Sequence, residues 1–151
     1  MKGRPFETPE DLGKWLVTQG RLYGFCEPSL AEELAFDFPK GVWLDTTFDR
    51  AKVDEYQFAI TEAHGAIAET GSVILSDILP VRRLATLATW VHVAVIRPGT
   101  IFETISDALA GMPESNYVIW CTGPSKTGDI EDILIQGVHG PGEQAVLLLN
   151  P

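Results

Sequence analysis

Cysteine is nearly absent from this chain: Cys26 and Cys121 are the only two. A pair so far apart matches neither a zinc nor a redox spacing and is too small to hold an iron–sulfur cluster. The expectation is therefore two reduced, buried thiols, with a disulfide between them the less natural alternative in a reducing compartment. Positive charge is also scarce. Eleven basic residues stand against 21 acidic ones, giving a formal net charge of −10. That excludes the basic footprint that binds nucleic acid and disfavours adhesion to anionic membranes. No stretch approaches the roughly 18 apolar residues of a membrane-spanning helix, and the polar start Met1-Lys2-Gly3-Arg4 is unlike a signal peptide, so a cytoplasmic location is expected. The histidines, His64, His92 and His139, form no HExxH or other ligand spacing. No metal is expected, and no motif for a flavin, nicotinamide or cluster cofactor is present. Repeats, low-complexity tracts and linkers are lacking too. With 151 residues and 45% hydrophobic content, residues 1–151 read as one domain.

What is present is an alternation of short strand and helix signals. Pro9 to Val17 places Leu12, Trp15 and Leu16 at helical spacing behind Thr8 as N-cap, with Glu10 and Asp11 in the first turn. Strands are predicted at 22–26, 41–44, 58–61, 65–68, 72–75, 91–96, 117–120 and 145–149, where β-branched and aromatic residues cluster. Helices are predicted from Ser29 to Ala35, from Arg82 to Thr89 and from Ile101 to Leu109. The near-continuous apolar run Val91–Ile96 suits a buried parallel strand, in which His92 reads as a satisfied core residue. Ile130, Ile133, Leu134, Gly137 and Val138 fall at i, i+3, i+4, i+7 and i+8, so a further helix is predicted there.

Two polar turns stand out. Glu69-Thr70-Gly71-Ser72 lies between two strand candidates, and Gly71 can take a positive φ there. Glu69 is the candidate catalytic carboxylate, as base, nucleophile or ligand acceptor; the alternative is that it only accepts backbone N–H bonds and holds the turn. Cys121-Thr122-Gly123-Pro124-Ser125-Lys126-Thr127-Gly128 follows a strand and precedes the predicted helix, where unpaired amides favour an anion. Gly123, Ser125, Lys126 and Thr127 are candidate ligand contacts, although Ser125 or Thr127 could simply cap the helix and Lys126 could be a solvated loop lysine. Glu131 flanks the apolar stripe, facing the crevice or a partner, while Asp129 and Asp132 suit the helix dipole. Beyond the stripe, Gly140 and His139 lie in Gly137-Val138-His139-Gly140-Pro141, with His139 either a C-cap or a proton carrier. Arg82-Arg83 could lend charge to the crevice mouth or be a solvated helix start. Both polar turns are expected to meet in one crevice at the carboxyl ends of neighbouring strands.

Ala68-Glu69-Thr70-Gly71-Ser72, the segment Cys121–Glu131 and Gly137–Pro141, in this order, resemble the LUD-domain family, in particular lactate utilization protein C. The resemblance runs from about Val53 to Leu149 and includes Trp90–Val95 and Ser106-Asp107-Ala108; the N-terminal region is short relative to the family. It departs from the usual pattern at Ser72, where threonine is common, and at Lys126-Thr127-Gly128, where arginine, threonine and alanine are common. The resemblance implies a three-layer α/β/α fold with a largely parallel sheet, similar to the ribose-phosphate isomerase and CoA-transferase superfamily. It also implies oxidation of L-lactate to pyruvate alongside cysteine-rich and iron–sulfur subunits, with this chain an accessory subunit carrying a pocket for a small carboxylate or phosphate. The alternative is a stand-alone CoA-transferase-, isomerase- or cyclo-ligase-like enzyme acting on a carboxylated or phosphorylated small molecule.

Overall fold

A computed structural model describes residues 4–34, 38–76, 80–112, 117–124, 126–128, 134–136 and 140–150. Its framework is a six-stranded sheet in which every pairing is parallel. The strands are β1 (Arg4–Phe6), β2 (Tyr23–Cys26), β3 (Trp43–Asp45), β4 (Phe58–Glu62), β7 (Val91–Ile96) and β12 (Glu143–Leu148), in the order β1-β12-β7-β4-β2-β3. The central strands β4 and β7 are covered on both faces, which is why their sequences are apolar runs rather than alternations. A second, four-stranded sheet is mixed: β5 (Gly65–Ile67), β6 (Ser72–Ser76), β8 (Ile101–Phe102) and β9 (Val118–Cys121), in the order β8-β5-β6-β9.

Side chains on β7 divide the core. Val91, Val93 and Val95 join Phe58, Ile60, Ala145 and Leu147 on one face, against Leu12, Leu16, Leu30 and Leu34 of α1 (Pro9–Thr18) and α2 (Pro28–Leu34). Each fully buried valine, leucine, isoleucine or phenylalanine side chain among these contributes roughly 1.5–3 kcal/mol. The opposite face carries His92, Ala94 and Ile96. There, Ala59 and Phe25 pack on Ala85 of α3 (Pro80–Ala88), whereas Ala94 and Ile96 pack on Val73 and Leu75 of the smaller sheet. On the far side of that sheet, Ala108 of α4 (Ile105–Ala110) meets Ile67 and Ile74. The α/β class and the parallel sheet are as expected; the smaller sheet shares with α3 the second face of the larger one.

Local chemistry explains the ends of α1. Thr8 Oγ1 accepts from Asp11 N at 3.1 Å, and Pro9 occupies the first helical position, where no N–H is needed. At the other end Gly20 adopts φ +68; its N–H donates to Val17 O and that of Arg21 to Leu16 O, a Schellman stop. Helix α4 starts later than Ile101 because Thr104 and Asp107 form a capping box, leaving Ile101 and Phe102 free to pair with β5.

One prediction fails. Lys126–Gly128 (β10) and Leu134–Gln136 (β11) are antiparallel strands, with Lys126 opposite Gln136, where a helix over 130–138 was expected. The predicted segment is short and bounded by Gly128 and Gly137, so its helical propensity is poor, and brief apolar runs do not distinguish helix from strand by period alone. Ile130, Ile133, Gly137 and Val138, like Asp129 and Asp132, lie outside the described residues.

Candidate functional site

The two polar turns meet. Between β5 and β6 the chain reverses at Gly71, whose φ of +66 is a conformation that a side chain would oppose. Thr70 Oγ1 donates to Ser72 Oγ at 2.7 Å, and the buried Ser72 hydroxyl is 2.8 Å from Thr122 Oγ1, just beyond the end of β9. Antiparallel pairing of β6 with β9 brings this about, since it sets Val73 opposite Cys121 and so the start of one strand beside the end of the other. Gly123 then turns the chain with φ +123, again a glycine conformation.

Gly71, Val73, Thr122, Gly123 and Pro124 form one wall of a cleft of about 470 Å³. The other walls come from Arg4, Trp15 and Gln19 at the N-terminus and from Trp90, Gly142, Glu143 and Gln144. Trp90 directly precedes β7 and Glu143 is the first residue of β12. The cleft thus opens at the amino ends of the parallel strands, while Thr122 and Gly123 stand at the carboxyl end of β9 in the smaller sheet. That corrects the expectation of a crevice in an open parallel sheet. The Arg4 guanidinium lies over the Trp15 ring, 5.4 Å from its centroid. Gly142 is closed against Trp90: a Cβ there would lie 2.4 Å from the indole. The walls carry one guanidinium, one carboxylate, two amides and a hydroxyl between two indoles, a mixture suited to a small polar ligand with an apolar side.

Glu69 faces elsewhere. Its Oε2 accepts from Ile105 N at 3.0 Å, and its own N–H donates to Glu103 O, so the carboxylate lies against the first turn of α4. Gly140 lines a smaller recess of about 190 Å³ on the far side of the Gly123 turn, with Pro124, Trp120 and Leu87. Lys126 and Thr127 belong to strand β10. The helix expected to supply an anion site beside them is thus replaced, over the described residues, by the β10–β11 pair. Ser125, Glu131 and His139 lie outside the described residues.

Sequence reasoning missed a second polar assembly at the opposite, carboxyl ends of the parallel strands. Glu27, directly after β2, is buried and receives a bidentate contact from Arg82: Nε donates to Oε2 at 3.0 Å and Nη2 to Oε1. Glu62 N, at the end of β4, also donates to Glu27 Oε2 at 2.9 Å. Arg97, directly after β7, grips Glu33 with two bonds of 2.8 Å and reaches Glu62 Oε1 at 3.4 Å. The Arg97 guanidinium holds the Glu33 carboxyl below its usual range, and Glu33 raises Arg97 in turn. Arg82 is therefore no solvated helix start: its side chain is 10% exposed. The available signal was a charged residue after each of three apolar strands.

His92 occupies the core between these two ends. Its Nε2 is 2.9 Å from Thr61 Oγ1 and 3.3 Å from Thr86 Oγ1, and its Nδ1 meets the Gln144 amide. Burial pushes its pKa down to about 4, so it is neutral at physiological pH. The cysteines are free. Cys26 is buried and its thiol is pushed up to about 12 by desolvation and then by Glu27; half-buried Cys121 is also raised by burial.

A model of the LUD domain matches residues 32–149. The chain belongs to the LUD-domain family. The match reaches upstream of Val53 into α2. Lactate utilization protein C of Deinococcus radiodurans is 28% identical over 151 aligned residues, covering 89% of this chain and 71% of that protein. The protein of the same name from Bacillus subtilis is 27% identical over 107 residues, and the alignment spans 66% of this chain but only 45% of the relative. The crystal structure of a DUF162 family protein from Deinococcus radiodurans superposes with a TM-score of 0.53 over 91% of this chain and 93% of that one, at 20% identity. At that identity the likeness concerns the fold.

Proposed function

We propose that this LUD-domain chain serves L-lactate utilization, and that it acts in the cytoplasm with cysteine-rich and iron–sulfur subunits that carry electrons from L-lactate as pyruvate forms. The observation behind this reading is that the two family-like turns meet through the Ser72–Thr122 contact and place Gly71, Thr122, Gly123 and Pro124 on the walls of one cleft. A small carboxylate suits that cleft. Arg4 offers the compensating charge, Thr122 a hydroxyl, and Trp90 an apolar wall. The chain itself has two cysteines, which supports placing the clusters in partners. Among the described residues no helix is long and apolar enough to cross a membrane.

The stand-alone enzyme reading loses ground at Glu69, because the carboxylate it would use as nucleophile is bonded to the backbone of α4. The deciding experiment is reconstitution. The chain alone should not reduce a dye with L-lactate, whereas its assembly with the cysteine-rich and iron–sulfur subunits should. An assembly equally active without this chain, or lactate oxidation by the purified chain alone, would overturn the proposal.

A further inference from the structure

A second cavity, of about 290 Å³, lies between β12 and the smaller sheet, next to the cleft. Gln144, Val146 and Leu148 share one face of β12, because Ala145 and Leu147 between them join the core cluster of α1 and α2. Gln144 lines the cleft, Val146 lines both cavities, and Leu148 lines the second. At roughly 3.3 Å per residue, these three side chains mark a path of about 13 Å from one cavity into the other. The facing wall repeats the order: Thr122 borders the cleft, Gly71 and Val73 border both cavities, and Ala68 borders the second. Strand β1 does the same, with Arg4 at the cleft and Pro5, paired opposite Val146, at the recess.

Polarity changes along this path. Arg4, Gln19, Thr122 and Glu143 belong to the cleft, whereas Ser72 is the one polar side chain lining the recess, and its hydroxyl is engaged by Thr70 and Thr122. Val146 and Leu148 remain half-buried and Ile101 is 45% exposed, so part of this apolar lining faces water. Water there finds few partners and is readily displaced by an apolar group. We propose that the two cavities form one site for an amphipathic acid: a 2-hydroxy acid whose carboxylate lies at the Arg4 end and whose unbranched alkyl chain, longer than the methyl of lactate, occupies the recess along Val146 and Leu148. This rests on the cleft being the small-carboxylate site. Lactate fills only the polar end.

The test is a chain-length series, titrated calorimetrically on the full chain: L-lactate, then the L-2-hydroxy acids derived from butyrate, valerate and caproate. Affinity should rise about four-fold with each added methylene, the worth of burying one such group. Ala66→Leu fills the recess from β5 and should flatten the series; Ile101→Ser, at an exposed position of the same wall, should reduce the gain per methylene. A flat series in the native chain, with lactate still bound, would overturn the inference and leave the carboxylate site standing. The full gain persisting in both variants would place the alkyl chain elsewhere and overturn it too. So would a concentration-dependent dimer, seen by sedimentation and abolished by Ile101→Ser, since a second copy would then cover the recess. Binding of none of the acids would remove the carboxylate site and the inference together.

Discussion

The two ends of the parallel sheet hold comparable numbers of polar groups and use them in opposite ways. At the carboxyl ends, Glu27, Arg82, Glu62, Arg97 and Glu33 are paired with one another, and Glu27 also takes the Glu62 amide. At the amino ends, Arg4 rests on an indole and lines the cleft together with Gln19 and Glu143. A satisfied network fixes strand ends relative to one another. Unspent hydrogen-bonding capacity beside empty volume is what can receive a ligand. The lesson is that polar density does not locate a site; the remaining donors and acceptors do.

The strongest way to break this contrast is at the buried pair. Arg82→Ala leaves Glu27 as an uncompensated carboxylate in the core, and a loss of roughly 3–5 kcal/mol in denaturant unfolding is expected. Replacing both partners, as Glu27→Gln with Arg82→Met, should recover much of it, because the charge then disappears with its partner. Carboxylate affinity of the folded fraction should stay unchanged in both. A marked drop in affinity would mean that the carboxyl-end network feeds the cleft.

Next in size is the response to acid. His92 has a folded pKa of about 4, below the roughly 6.5 of the unfolded chain. Under such a depression the unfolded chain takes up a proton that the folded one refuses, so the contribution is complete above about pH 6.5 and is lost as pH falls toward 4. The gap corresponds to about 3 kcal/mol. Subtracting the pH–stability curve of His92→Gln from that of the native chain should isolate this slope. Parallel curves between pH 6.5 and 4 would mean that the imidazole is solvated.

Much of the parallel sheet was legible because its physics is local. Val91–Ile96 read as a buried parallel strand and Phe58–Thr61 as a strand, and Thr8 with Pro9 announced α1. The hairpin β10–β11 was not legible, since Leu134 and Ile135 serve a strand as well as a helix and only pairing with Lys126–Gly128 decides between them. The partner of Glu27 was equally hidden: Arg82 is 55 residues away, and sheet order alone brings them together. For the candidate site, the turns themselves were readable, and so was the glycine at 71. Arg4, Trp15, Trp90 and Gln144 were missed as cleft residues, because they come from three segments that meet only once β1 and β12 pair beside β7.

A smaller effect sharpens the amino-end side of the contrast. Gly123→Ala imposes a side chain at φ +123 and should cost about 1–3 kcal/mol. Gly142→Ala instead drives a methyl into Trp90, so the indole must move. Tryptophan emission should shift on Gly142→Ala and L-lactate affinity should fall, with a milder stability change if Trp90 swings into the cleft. Unaltered emission and affinity would remove Trp90 from the binding wall.

The smallest expected effect decides the fate of Glu69. Its carboxylate accepts from Ile105 N at the start of α4, where negative charge also complements the helix dipole. Glu69→Gln keeps an acceptor oxygen and removes only the charge, so a loss of about 0.3–1 kcal/mol is expected from the dipole contribution, falling further in high salt. Glu69→Ala removes the acceptor as well and should lose somewhat more, while Ile105 N, at an exposed helix end, turns to water. Neither change should alter the lactate-dependent dye reduction of the reconstituted assembly, since the cleft walls run through Gly71 and Val73 and the Glu69 carboxylate points to α4. A many-fold fall in turnover for Glu69→Gln, at near-native stability and lactate affinity, would instead put this carboxylate in the chemistry and revive the enzyme reading.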